Sequence, residues 1–191
     1  MAKEKELFLF AGPNGSGKST IVNDFLKRKS CPLYYICPDN NLDNRLKDNK
    51  ELYILAMQKA QEQRYKAVAE NKSFSFESVF STQEKLDFLK FAKTKKYLIT
   101  AVYITTKHPK INIDRIKARV LTGGHGVPDE KVISRYYKSM ELMSKVIPIA
   151  DNFFLYDNSA SKPEIIFESI NGVKMLNPNY INAEWILKYL K

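Results

Sequence analysis

The segment AGPNGSGKST, residues 11–20, has the spacing G-x-x-x-x-G-K-S that is typical of a phosphate-binding loop, the P-loop or Walker A motif. Its glycines let backbone N–H groups converge on the β-phosphate of a nucleotide, and the helix that follows adds its positive end. We expect Lys18 to bridge the β- and γ-phosphates of ATP and Ser19 to coordinate Mg²⁺. The predicted nucleotide-binding residues are Gly12, Pro13, Asn14, Gly15, Ser16, Gly17, Lys18, Ser19 and Thr20.

Two acidic residues, Asp39 and Glu77, lie at the ends of predicted strands. Asp39 follows the strand-like LYYIC, and a kinase that acts on a hydroxyl needs such a group to accept the proton. Asp39 also fits a Pro-Asp-Asn turn that does no more than end the strand. Glu77 follows the next strand, where it would either hold Mg²⁺ through water or grip the substrate.

A glycine-rich turn interrupts the helical pattern of RVLTGGHGVPDEKVISRYY, residues 119–137. Its glycines permit motion, and Pro128 suits the first turn of a new helix. Arg119 and Arg135 flank the turn and are predicted to neutralise a transferring phosphoryl group as a lid closes. The alternative is that both point to solvent. His125 either contacts the ligand or fixes the turn, and the second role is favoured.

The elements that must position these residues alternate along the chain. Strands are predicted at 7–10, 33–37, 73–76, 97–105 and 153–156, and helices at 18–29, 51–70, 83–92, 109–121, 129–145 and 182–190, with a strand or edge hairpin at 164–175. This order predicts an α/β fold, a mainly parallel sheet flanked by helices on both faces. We expect one domain, residues 1–191, with a helical lid at about 109–145. The phosphate loop and the carboxylates all fall at the edge where such sheets bind ligands.

The amino-acid composition and net charge of the chain limit the classes of function that it can have. Hydrophobic residues make up 44% of the chain and charged residues 27%, as in globular proteins. The net charge of +10 favours anionic ligands, but the basic residues are spread out, so a solvated surface is a better interpretation than a nucleic-acid patch. Cys31 and Cys37 match no zinc pattern and are expected to be reduced thiols. The apolar run 7–11 is too short for a signal peptide, and we expect a cytoplasmic protein without a membrane span.

The chain resembles the zeta toxin family of P-loop kinases. The resemblance is carried by AGPNGSGKST, the Pro38-Asp39-Asn40 turn, FESVFS at 76–81, RVLTGGHGVPDEKVISRYY and LYDNS at 155–159. It implies a kinase-type three-layer fold with a lid, an antitoxin as protein partner, and transfer of phosphate from ATP to the 3′-hydroxyl of UDP-N-acetylglucosamine. It also implies residue roles: Asp39 as the base, Glu77 as a substrate contact, Arg119 and Arg135 as lid arginines, and Asp157 and Asn158 bordering the adenine.

The predicted function is therefore an ATP- and Mg²⁺-dependent kinase that phosphorylates a hydroxyl of a small molecule. With Asp39 and Glu77, Ser78 and His125 complete the predicted substrate-binding residues. Two other functions stay open: an ATP-binding switch or ATPase that acts through a protein partner, and a nucleic-acid end kinase. Here Glu77-Ser78-Val79 stands where short family members usually read E-T-T, and Ser134 precedes Arg135 where many carry a second arginine.

Overall fold

The computed structural model describes residues 4–41 and 49–190. Seven strands form one sheet in the order β2-β3-β1-β4-β5-β6-β7. The first five of these are mutually parallel, and the last two are antiparallel. The strands are β1 (Glu6–Ala11), β2 (Tyr35–Ile36), β3 (Phe74–Ser78), β4 (Leu98–Thr105), β5 (Asn152–Asp157), β6 (Glu164–Ile170) and β7 (Val173–Leu176). The predicted, mainly parallel α/β fold is confirmed.

Helices cover both faces of the sheet. They are α1 (Lys18–Lys27), α2 (Lys50–Ala69), α3 (Gln83–Thr94), α4 (Pro109–Leu121), α5 (Asp129–Val146) and α6 (Glu184–Leu187), with 3₁₀ turns at Pro38–Asn41 and Pro178–Tyr180. Asn49 caps α2, because its Oδ1 accepts from the backbone N–H groups of Glu51 and Leu52 at 3.0 and 3.1 Å. No helix within the described ranges is both long and apolar enough to cross a membrane.

The central strand β1 shows why three layers form. Successive side chains of a strand point to opposite faces. Leu7 and Leu9 therefore join the larger core beneath α2, α3 and α5, while Phe10 joins Ile21 and Val22 of α1 on the other face. All three β1 side chains are fully buried. A strand that is apolar on both of its faces is typical of a parallel sheet that is covered by helices on both sides.

Two predicted elements differ from the structure, and the edge hairpin that was one of two alternatives at 164–175 is confirmed. The predicted strand 33–37 shrinks to Tyr35–Ile36, because Leu33 and Tyr34 are exposed on this edge strand and pair with no further strand. Residues 164–175 form the antiparallel pair β6 and β7. The predicted helix 182–190 was too long: only Glu184–Leu187 is α-helical, after a 3₁₀ turn anchored by Tyr180. The hydroxyl of Tyr180 lies 3.2 Å from a carboxylate oxygen of Asp157 and 2.9 Å from one of Glu164, so its one proton is shared between two acceptors just before α6.

Candidate active site

The phosphate loop, residues 12–20, joins β1 to α1 and includes the first turn of α1. At two of its glycines, Gly12 and Gly17, the backbone leaves no room for a side chain. Gly12 has φ +145°, and a Cβ there would lie 1.9 Å from the carbonyl oxygen of Ile104. Gly17, the N-cap residue of α1, is left-handed at φ +88°. A Cβ at Gly17 would lie 2.2 Å from Nδ2 of Asn158, which donates to the carbonyl of Ser16 at 2.8 Å. The glycines therefore let β4 and the β5 end pack directly against the loop.

The side chain of Lys18 is buried against the backbone of the phosphate loop. Its side chain is only 7% exposed, and Nζ donates to the carbonyl oxygen of Pro13 at 3.0 Å. Burial lowers the pKa of Lys18, while the charge of Glu77 raises it and that of Arg119 lowers it further. The lysine is thus a desolvated cation at the loop, where an anionic ligand would relieve the cost of burial.

Glu77, near the end of β3, faces the first turn of α1. Ser19 Oγ lies 3.3 and 3.5 Å from its two carboxylate oxygens, and the hydroxyl of Tyr35 donates to it at 2.9 Å. Burial and the charge of Glu77 both raise the pKa of Tyr35, so this hydroxyl stays protonated and remains a donor. The arrangement fixes one carboxylate beside the hydroxyl that was predicted to bind Mg²⁺.

Asp39 lies in the 3₁₀ turn Pro38–Asn41, directly after β2. Its half-buried carboxylate lines the same cavity as Lys18. Cys37, which precedes the turn, also lines this cavity, and burial followed by the charge of Glu77 raises its pKa to about 11. Cys37 is therefore a neutral thiol at physiological pH, and that Asp39 acts as a base stays a prediction.

The predicted lid, called the lid below, consists of α4, α5 and the connecting residues 122–128. Arg119 of α4 donates through Nη2 to the carbonyl of His125 at 2.8 Å, and Arg135 of α5 donates through Nη1 to Oδ1 of Asn14 at 3.4 Å. The ring of His125 lies 6.4 Å from that of Tyr53 on α2. The lid loop therefore reaches across the cavity to α2, and its two predicted arginines both line the cavity.

A buried amide ties the lid to the phosphate loop. Asn112 of α4 is fully buried, and its Nδ2 donates to the carbonyl of Asn14 at 2.6 Å. The hydroxyl of Thr106 donates to the other end of the same amide. A Cβ at Gly15 would lie 2.5 Å from the Asn112 carbonyl oxygen, so loop and lid helix touch without room for a side chain.

Most of the predicted site residues line one cavity of about 490 Å³. Those that line it are Asn14, Gly15, Gly17, Lys18, Ser19, Thr20, Asp39, Glu77, Ser78, Arg119, His125 and Arg135. Gly12, Pro13 and Ser16 are buried behind it as part of the loop backbone.

Asp157 and Asn158 occupy structural positions beside the phosphate loop instead of lining the cavity. Asp157 accepts hydrogen bonds from Ser159 and from Tyr180, and is 5% exposed. Asn158 contacts the loop backbone, as described above. It stays a prediction that these two residues border the adenine. The adenine would then approach two side chains that already form hydrogen bonds within the protein.

The cavity residues that were missed from the sequence include Tyr53, Arg64, Lys85 and Arg115. Arg115 precedes Arg119 by one helical turn, a spacing that places both on one face of α4 and would have indicated it. Its Nη2 lies 3.5 Å from the carbonyls of Ser159 and Ala160. No sequence signal singled out Arg64, because its helix α2 shows no clear apolar stripe.

Comparison with known proteins gives one relative by sequence and several by structure. No protein-family model matches the chain. An uncharacterized protein of Haemophilus influenzae is 32% identical over 136 residues, which cover 70% of this chain and 94% of the relative.

Three solved structures have the same fold. The AvrRxo1-ORF1:-ORF2 complex with ATP matches at a TM-score of 0.69 and 16% identity, over 100% of this chain and 64% of that one. The PezAT chromosomal toxin-antitoxin system of Streptococcus pneumoniae matches at 0.66 and 14%, over 98% and 79%. A putative kinase from Chloroflexus aurantiacus matches at 0.52 and 15%, over 70% and 80%. This chain thus spans about two thirds of the AvrRxo1-ORF1:-ORF2 chain, and the predicted zeta-toxin-like P-loop kinase fold is confirmed.

Proposed function

This chain belongs to the same family as the Haemophilus influenzae relative and has a zeta-toxin-like P-loop kinase fold, and from this premise we propose that it is an ATP-dependent phosphotransferase. The observation that carries the proposal is the shared cavity, in which the carboxylate of Asp39 stands with Lys18 of the phosphate loop and with Arg119 and Arg135 of the lid. A carboxylate, a loop lysine and lid arginines are the groups that phosphoryl transfer to a hydroxyl requires.

The reaction follows from these positions. Asp39 accepts the proton of the acceptor hydroxyl, whose oxygen forms a bond to the γ-phosphorus of ATP. The bond between that phosphorus and the β–γ bridging oxygen breaks, and ADP leaves with the electron pair. Lys18, Arg119 and Arg135 neutralise the charge that spreads over the transferring group and the leaving oxygen.

Mg²⁺ fits the donor chemistry beside the loop. Among the described residues, no group of three or more His, Cys, Asp or Glu side chains could hold a metal ion without further ligands. Ser19 and the Glu77 carboxylate are hard oxygen donors within 3.5 Å of each other, which suits an ion bound by few protein groups plus ATP oxygens and water. When bound, Mg²⁺ would neutralise part of the negative charge of the ATP phosphates, with Ser19 and Glu77 as the residues that would hold it.

The acceptor that we propose is a UDP-sugar such as UDP-N-acetylglucosamine, on the zeta-toxin resemblance of the lid and phosphate-loop motifs. The PezAT neighbour is described as part of a toxin–antitoxin system, and we propose an antitoxin protein as partner of this chain as well. A partner that covers the cavity would inhibit phosphorylation without unfolding the protein.

The test is a phosphorylation panel. The full chain is incubated with γ-labelled ATP, Mg²⁺ and, one at a time, UDP-sugars, free nucleotides, and DNA and RNA oligonucleotides. Label in a UDP-sugar supports the proposal. Label only in oligonucleotides would make the protein an end kinase, and ATP hydrolysis with no labelled acceptor would favour a partner-driven ATPase.

A further inference from the structure

The cavity has a second basic region that the phosphate loop and the lid do not explain. Arg64 lies in the middle of α2, and Lys85 lies in the first turn of α3. Both line the cavity together with Ser81 and Thr82, which lead into α3. These groups approach the cavity from α2, α3 and the residues just before α3, whereas the lid arginines approach it from α4 and α5.

Arg64 is buried without complete pairing. It is 2% exposed, and its guanidinium lies over the rings of Phe76 and Phe88 at 5.3 and 5.4 Å. Nη2 donates to Glu84 at 3.2 Å, but Nε has no hydrogen-bond partner among the described residues. A buried donor of a charged group that is left unpaired is costly, which makes a missing acceptor the natural explanation.

Lys85 adds a second cation to the same cluster. Its side chain is 15% exposed, and its ammonium pairs with Glu84, which also pairs with Arg64. One carboxylate therefore serves two cations, and the cluster keeps one net positive charge. Burial lowers the pKa of both Arg64 and Lys85, while Glu84 raises the pKa of each.

The N-terminus of α3 contributes a third source of positive potential. This helix has 12 residues, and its N-cap Thr82 makes no side-chain capping hydrogen bond. The backbone before it is held in an unusual path, since the buried Phe80 has φ +54° and donates its N–H to Ser78 Oγ at 3.0 Å. A bulky residue with a positive φ angle has a strained backbone, and such strain is often found at ligand-binding sites.

We propose that Arg64, Lys85 and the N-terminus of α3 form a second anion subsite, which binds a phosphate group carried by the phosphoryl acceptor. A guanidinium with a free N–H, an ammonium and a helix N-terminus together suit the tetrahedral oxygens of phosphate. The inference rests on the proposed function, since it assigns this end of the cavity to the acceptor and the phosphate loop to ATP.

The experiment measures binding and needs no phosphoryl transfer. The full chain is saturated with Mg²⁺ and the β,γ-imido analogue of ATP, which fills the phosphate loop, and inorganic phosphate is then titrated by calorimetry. Lys85→Gln should weaken phosphate binding by about tenfold, because it removes one charge-assisted contact. Lys90→Gln, an exposed position on the same helix, should leave it unchanged.

Glu84→Gln separates a subsite from a purely structural cluster. It removes the competing carboxylate, so phosphate should bind severalfold more tightly, whereas a cluster that only supports the fold would lose stability without any gain in affinity. In further titrations UDP-N-acetylglucosamine should bind and N-acetylglucosamine should not. Acetate that binds as tightly as phosphate would overturn the assignment to phosphate.

Two failures are distinguishable. If Lys85→Gln and Glu84→Gln bind phosphate like the wild type, the subsite is refuted, whatever the phosphorylation panel gives. If the chain binds the ATP analogue and phosphate in the expected variant-dependent way, yet labels no acceptor, the proposed kinase function fails and the subsite stands.

Discussion

Replacing Lys18 with methionine should remove catalysis while leaving the fold intact. Methionine keeps an unbranched side chain of similar length and removes the charge together with the N–H donors of the ammonium group. In the folded chain the Lys18 side chain is 7% exposed, and its ammonium group donates to the carbonyl of Pro13 at 3.0 Å. Burial already lowers the pKa of Lys18, so the protein holds the cation at a cost before any ligand binds.

The two effects of Lys18→Met have different sizes. The lost charged hydrogen bond is worth about 1.5–3 kcal/mol, and it is offset by relief of the several kcal/mol of desolvation that a buried cation costs. We therefore expect the free energy of unfolding to stay within about 1 kcal/mol of wild type or to rise. Loss of one preorganised contact in the transition state costs about 3 kcal/mol, or about a hundredfold in turnover.

Two assays measure these effects: urea unfolding of the ligand-free chain, and the initial rate of ADP formation with ATP, Mg²⁺ and the acceptor found in the panel. Lys27→Met, at the exposed end of the same helix, is the matched control. A folded Lys18→Met protein with wild-type turnover would refute the assigned role. A loss of several kcal/mol of stability would instead refute the reasoning about the buried charge.

Three further predictions follow from the same site. Arg119→Ala and Arg135→Ala should each lower turnover by about a hundredfold with a smaller effect on the dissociation constant for ATP, and an effect on stability alone would make both arginines structural. Glu77→Gln should raise the Mg²⁺ concentration needed for half-maximal turnover, whereas Tyr35→Phe, which removes only the hydroxyl bonded to Glu77, should change it less; equal Mg²⁺ requirements in wild type and Glu77→Gln would count against a metal role. Because the pKa of Cys37 is raised from 9.0 to about 11, its contribution to stability is complete below pH 9 and is lost as the pH rises through 11. The wild type should lose about 2 kcal/mol more unfolding free energy than Cys37→Ala between these pH values, measured in urea, and parallel losses would disprove the shift.

The elements that position the site were predictable because their signals are local. The glycine spacing of the phosphate loop demands a strand before it and a helix after it, and β1 and α1 provide them. The glycines that interrupt the pattern between Arg119 and Arg135 likewise marked the boundary between α4 and α5. The aromatic and β-branched run YLITAVYIT, the most strand-like stretch of the chain, indicated β4, which pairs with β1 on the side opposite β3.

The remaining parts of the site depend on tertiary contacts that no local pattern carries. Arg64 reaches the cavity because α2 packs across β3, and its buried guanidinium is held between two phenylalanine rings. The amide of Asn158 donates to the carbonyl of Ser16, a contact that forms only when β5 lies beside the loop, and that Asn158 borders the adenine stays a prediction. The short α6 was mispredicted for a related reason, since the bond from Tyr180 to Asp157 decides where that segment turns.

Asp39→Asn tests the central claim most directly. The substitution keeps the size and hydrogen-bonding capacity of the side chain and removes the basic carboxylate. ATP affinity, measured by calorimetry with Mg²⁺, should match that of the wild type, while phosphorylation of the acceptor falls by about 10²- to 10⁴-fold, the usual contribution of a general base. Near-normal phosphorylation by the variant would contradict the account and leave Asp39 as the residue that ends β2.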